Sequence, residues 1–144
     1  MRFASVFFTL FASAALGAEV GDDAISECQK RHSDFSEVQT CLAPTHIALA
    51  MLQAAQSEEH YGEAISDVIA GCETYHQASV RIWTCTRSRL RQADTLLEMV
   101  KDPSKIEDPV FAVLAKPGAF AAITSREQQM KEEFSDQILM PYHP

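Results

Sequence analysis

The chain has 144 residues with four Cys, five Gly, six Pro and one Trp, and its 20 acidic against 12 basic residues give a net charge of −8. That length supports one domain rather than two, and so few Gly and Pro do not suit a collagen-like, linker-like or turn-dense all-β chain. The acidic balance excludes a nucleic-acid partner, because no basic surplus exists to displace phosphate counterions.

In chain order, Met1-Arg2-Phe3 leads into an uncharged apolar run from Val6 to Leu16, closed by small residues at Ala15, Gly17 and Ala18. A short positive start, about a dozen apolar residues and a small-residue end form a secretory signal pattern. The run is shorter than the roughly 20 residues a membrane span needs. Residues 1–18 are therefore expected to be a cleaved leader and residues 19–144 a single helical domain. Cleavage removes Arg2 and leaves 11 basic against 20 acidic residues, a net charge of −9. Charges or prolines interrupt every later apolar stretch, so no stable membrane insertion is expected after cleavage.

Gly21-Asp22-Asp23 opens a short helix that carries Ile25 and Cys28 on one face. Asp34, with Glu37 three residues on, marks a new helix start, and a second short helix is expected from Phe35 to Cys41, ending before Pro44. Pro44 suits the first turn of a further helix, whose apolar positions run from Ile47 to Ala54 and on to Gln56. Ser57-Glu58-Glu59-His60 places acids in a first turn. From there Tyr61, Ile65, Val68, Ile69, Cys72 and Tyr75 recur at three- and four-residue steps, the helical spacing. Leu90, Ala93, Leu97 and Val100 continue that period to Lys101, where Asp102-Pro103 ends it.

A C-terminal helical segment is expected over residues 103–140. In it Asp108-Pro109 opens a short apolar stretch, Val110 to Leu114, and Lys116-Pro117-Gly118 closes it. A last helix is expected from Ala119 to Leu139, with Phe120, Ile123, Met130, Phe134 and Ile138 facing inward. A hairpin of 110–114 with 120–124 is the lesser alternative. The fold class expected is all-α, with four to six helices.

The cysteines are arranged as two copies of one unit. Cys28 and Cys41 are separated by twelve residues, as are Cys72 and Cys85, and the second pair lies 44 residues after the first. His32 matches His76, Val38 matches Ile82 and Thr40 matches Thr84 at the same offset. Such a period reads as one supersecondary unit used twice, with repeat units at about 28–56 and 72–100. An even cysteine count in a small exported domain implies disulfides. Two cysteines thirteen apart on one unbroken helix would stand about 20 Å from each other, whereas a disulfide needs Cα atoms within about 7 Å. Pairing Cys28–Cys41 and Cys72–Cys85 therefore requires a helix break inside each repeat, at Ser33–Glu37 and at Gln77–Ser79. The alternative, Cys28–Cys85 with Cys41–Cys72, applies if the second repeat is continuous helix.

These units resemble the LprI-type lysozyme-inhibitor family of exported bacterial proteins, in which a short helix bears the first Cys and the next helix carries Leu, Leu-Asp and Leu. After Cys85 stand Leu90, Ala93-Asp94 and Leu97; around Cys41 stand Glu37, Pro44, Leu49 and Leu52. Ala50 replaces the expected Asp, and His46 the first Leu. The likeness covers Cys28 to Leu52 and Cys72 to Leu97. It implies a disulfide-stapled α-helical module that binds and inhibits lysozyme or another envelope protein, and the negative charge suits such basic partners.

The competing chemistry is metal binding. Cys28 with His32, and Cys72 with His76, each place a thiol and an imidazole four residues apart on a helix face, together a Cys2His2 set for zinc or copper(I). Oxidation of the thiols in an exported protein argues against it. No nucleophile, phosphate loop or His-Glu-x-x-His frame appears, so neither catalysis nor a cofactor is expected. Arg81, Arg87, Arg89 and Arg91 form the one basic cluster, with Arg87 and Arg91 expected to pair with Asp94. Trp83 is expected to pack on a disulfide. The protein expected is thus an exported, non-enzymatic binding module with a protein partner in the periplasm or outside the cell.

Overall fold

A computed structural model describes residues 18–135. The proposed leader, apart from Ala18, and the tail from residue 136, with Ile138 among its residues, lie outside this range. Six helices follow in order: α1 Asp22–Arg31, α2 Phe35–Ala55, α3 Ser66–Glu73, α4 Ser79–Met99, α5 Pro109–Leu114 and α6 Ala119–Glu133. Short 3-10 turns at Glu63–Ile65 and Pro103–Lys105 join them. No strand occurs among the described residues, and both halves of the alternative hairpin are helical. No helix among them is long and apolar enough to cross a membrane.

The fold is all-α and stapled within each repeat. Cys28–Cys41 has its Cα atoms 5.8 Å apart and Cys72–Cys85 5.9 Å apart, each joining a short helix to the long one that follows. Two such bridges are the mark of an oxidising setting, as in extracellular or periplasmic proteins.

The 44-residue offset extends from the cysteines to the helices. It carries the start of α1, Asp22, onto Ser66, the start of α3. It carries Phe35 and Ala55, the ends of α2, onto Ser79 and Met99, the ends of α4. In both copies the matched histidine N–H reaches back to the first cysteine: His32 N–H donates to Cys28 O at 3.0 Å and His76 N–H to Cys72 O at 3.1 Å.

Each long helix starts after a turn that reverses the chain. Asp34 caps α2, its Oδ1 accepting from Ser36 N–H at 2.8 Å and from the Ser36 hydroxyl at 2.6 Å. Those hydrogen bonds, the hydroxyl's foremost, hold the Asp34 carboxyl below the usual carboxylate range. The Glu37 side chain does not complete a capping box; it meets His32 Nδ1 at 3.3 Å. At α4 no local side chain caps the start. Glu27, reaching across from α1, accepts from Ser79 N–H at 3.0 Å and from the Ser79 hydroxyl. The start of α4 is thus completed by a carboxylate 52 residues away.

Two expected boundaries are corrected. Pro44 does not begin a helix but lies inside α2, which runs unbroken through it. An internal Pro costs about 3 kcal/mol through one lost hydrogen bond and a clash with the preceding turn. Burial on both sides of it offsets that cost: Ala43 precedes it, and Thr45, Ile47, Ala48, Met51 and Ala55 follow. The chain break required by Cys28–Cys41 sits earlier, at residues 32–34. The segment Ser57–His60 forms turns rather than a helix start, because Gly62 adopts φ +71° and ψ −172°, and α3 begins only at Ser66.

One hydrophobic cluster draws on α2 through α6. Met51, Ile65, Leu90 and Ile123 are fully buried in it, with Trp83, Phe111 and Phe134 close to that. Tyr61 joins them, and burial pushes its phenol up to about 12, with the Asp94 carboxylate adding to the effect. Of the residues expected to face inward from α6, Ile123 and Phe134 are buried, while Phe120 and Met130 pack partly buried against the cluster.

Candidate functional site

Among the described residues, the disulfide-closed turns and a groove beside α4 are two places where side chains with binding potential gather. The turns follow from the repeat. Each bridge ties the end of a short helix to the long helix after it, so residues 28–41 and 72–85 form closed loops of the same length. Phe35 lies in the first loop and Tyr75 in the second. They are the most exposed of the large apolar side chains among the described residues, at 83% and 80%. The Glu27–Ser79 bonds fix the start of α4, and with it the turn bearing Tyr75, to the helix that leads into the turn bearing Phe35. Large apolar side chains left in water on ordered backbone are candidates for contact with a partner.

The groove lies between α2, α4 and α6. It has a volume of about 420 Å³ and is walled by Pro44, Ile47, Ala48, Val80 and Trp83. Its polar edge is an ion triad. Arg87 Nη1 donates to both Glu127 oxygens, at 2.8 and 3.0 Å, and Lys131 Nζ meets Glu127 Oε1 at 2.7 Å. Glu127 is only 5% exposed. Its burial pushes the carboxyl up, but hydrogen bonds from Lys131 and Arg87, together with their charges, outweigh burial and hold it below the usual range. Two further polar atoms of α4, Trp83 Nε1 and Thr86 Oγ1, are buried without a hydrogen-bond partner.

The sequence-derived candidates separate as follows. All four cysteines are in disulfides, so Cys28 and Cys72 offer no thiolate to His32 and His76, and the Cys2His2 set does not exist in this oxidised form. His32 turns instead to Glu37. Of the arginines, Arg87 pairs with Glu127 rather than with Asp94. Asp94 follows Arg87 by seven residues on one helix, and no hydrogen bond or ion pair of 4 Å or less joins them; α6 packs across α4 and brings Glu127 within reach. Neither Arg91 nor Asp94 forms such an ion pair among the described residues, so the expected Arg91–Asp94 bridge is absent. Trp83 is buried in the same cluster as Cys72. Glu127 went unrecognised because it reads in sequence as one acid of an ordinary solvated face; its only local signal was Lys131 four residues on.

Comparison with protein-family models, curated proteins and solved structures found no match to this chain.

Proposed function

We propose that this protein is an exported, non-enzymatic binding module, inhibitor-like in action, whose partner is a basic protein of the periplasm or extracellular space, with lysozyme the first candidate. The observation that carries the reading is the placement of Phe35 and Tyr75, one in each disulfide-closed turn and both almost wholly exposed. A turn held by a covalent bridge loses little conformational freedom when it binds, so more of the contact energy appears as affinity. Aromatic anchors on such turns are the residue type that dominates measured interfaces. The net charge of −8 favours a basic partner by long-range attraction and raises the rate of encounter. The partial likeness of the Cys-bounded units to the LprI-type inhibitors points the same way. As a binding rather than a catalytic reading it calls for no cofactor.

The test is an inhibition and binding assay of the oxidised protein against several muramidases. Binding is expected to weaken with added salt, as screening of a charged encounter requires. Phe35→Ala and Tyr75→Ala should each weaken it by tenfold or more, about 1.4 kcal/mol, without changing the helix content. Absence of binding to every muramidase overturns the lysozyme assignment. Unchanged binding by both alanine variants overturns the assignment of the turns as the contact surface.

A further inference from the structure

We propose that the groove between α2, α4 and α6 binds a small amphipathic carboxylate, a free medium-chain aliphatic acid, at a site independent of the two aromatic turns. The volume of about 420 Å³ falls in the range of small-ligand sites. The walls suit an apolar body: Pro44, Ile47, Ala48, Val80 and the Trp83 ring supply no charge, and beyond the ion triad only the Thr84 and Ser135 hydroxyls add polar lining. The polar edge selects the sign of the head group. Among the described residues Arg87 and Lys131 share a single carboxylate, Glu127, so this edge carries one surplus positive charge in a chain whose net charge is −8. A cationic head would be repelled there, and an anionic one attracted.

The triad also leaves donors unspent. Of the five N–H groups of a guanidinium, only those on Nη1 of Arg87 are engaged, both with Glu127. Its Nη2 and Nε have no acceptor among the described residues. A guanidinium plane matches a carboxylate through paired hydrogen bonds. Glu127, itself buried, holds Arg87 in place on one side and leaves the rest of the fork for a second anion.

The repeat supplies an independent argument. The positions 44 residues before Trp83 and Arg87 are Gln39 and Ala43, so the first copy of the helix pair lacks both the ring and the cation. Stapling a short helix to a long one does not require them. They belong to the second copy alone, where α6 brings Glu127 and Lys131 alongside.

Trp83 is the chain's sole Trp, so its fluorescence reports on this groove directly. Decanoate, decanol and decyltrimethylammonium are titrated into the oxidised full chain below their micellar concentrations, with calorimetry for stoichiometry. Decanoate should bind saturably at one per chain and perturb Trp83, with decanol and the ammonium at least about tenfold weaker, the worth of one charge-assisted hydrogen bond. Lys131→Gln, which removes the surplus charge, should bring decanoate down towards decanol. Thr84→Phe, which adds bulk from an exposed position at the groove's edge, should reduce binding of every probe and serves if Lys131→Gln does not fold. The proposal is overturned if decanoate gives no saturable response, if decyltrimethylammonium binds as well as decanoate, or if Thr84→Phe binds unchanged.

Discussion

Replacing Cys28 and Cys41 by alanine is expected to release α1 locally, whereas replacing Cys72 and Cys85 is expected to lower the stability of the whole fold. The two bridges close loops of equal length, and a loop of about 14 residues contributes roughly 3 kcal/mol by restricting the unfolded chain. Chain entropy therefore predicts identical losses. What each bridge holds in place differs. The buried residues of α1 are Ala24 and Cys28 alone. Its other ties include Gly21 N–H to His46 Nδ1 at 3.1 Å, His32 Nδ1 to Glu37 at 3.3 Å and the Glu27–Ser79 bonds, each worth about 1 kcal/mol net. Losing roughly 3 kcal/mol is enough to free a helix that lies along α2 but buries only two small side chains. In contrast α3 buries Val68, Ile69 and Cys72, and Ile65 just before it is fully buried. Burial of each such aliphatic side chain contributes about 1.5–3 kcal/mol, so α3 stays seated without its bridge. The loss then appears in global unfolding, a fall of roughly 12 °C at about 4 °C per kcal/mol. Hydrogen exchange read by mass spectrometry, with thermal melts, checks both halves. Amides of Gln29–Arg31 should exchange far faster in the Cys28→Ala/Cys41→Ala variant, while those of Met51–Ala55 remain protected. Equal protection of α1 and α2 in that variant, or equal melting losses with no local opening in either, refutes the reasoning.

Glu127 supplies a pH signature. Its folded carboxyl is held below the unfolded value of about 4.3, so its stabilisation is present above that pH and disappears as pH falls through the folded value. Glu127→Gln should flatten the acid limb of a stability-against-pH curve, and an unchanged limb would contradict the triad. Thr86→Val should leave stability unchanged or raise it by about 1 kcal/mol, because the buried hydroxyl has no hydrogen-bond partner to lose; denaturant midpoints would show a clear loss if a partner exists. Gly62→Ala should cost about 1–3 kcal/mol, since φ +71° with ψ −172° is open essentially to Gly alone and the new Cβ would stand 3.2 Å from a Glu58 carboxylate oxygen. Gly118→Ala, at φ +78° and ψ −13° with open space around the Cβ, should cost about 1 kcal/mol and no more than Gly62→Ala in the same melts.

The sequence by itself determined what is local or periodic. Helical spacing, Asp34 and Asp108 as starts, Asp102-Pro103 as a stop, and the doubled Cys-x12-Cys unit pointed to an all-α chain with bridges inside each repeat, because each depends on residues a few positions apart. Tertiary packing decided whether Pro44 ends a helix: burial of Ala43 through Ala55 outweighed a local penalty of about 3 kcal/mol. It also decided where α4 is capped, since Glu27 lies 52 residues before Ser79, and which acid Arg87 meets, since Glu127 lies 40 residues beyond it. Coulomb attraction and hydrogen bonding act over a few ångströms of space whatever the separation along the chain. The groove, built from three helices, and the Arg87 arm of its triad were for that reason absent from any local pattern, while the cysteine framework that supports them was already written in the spacing.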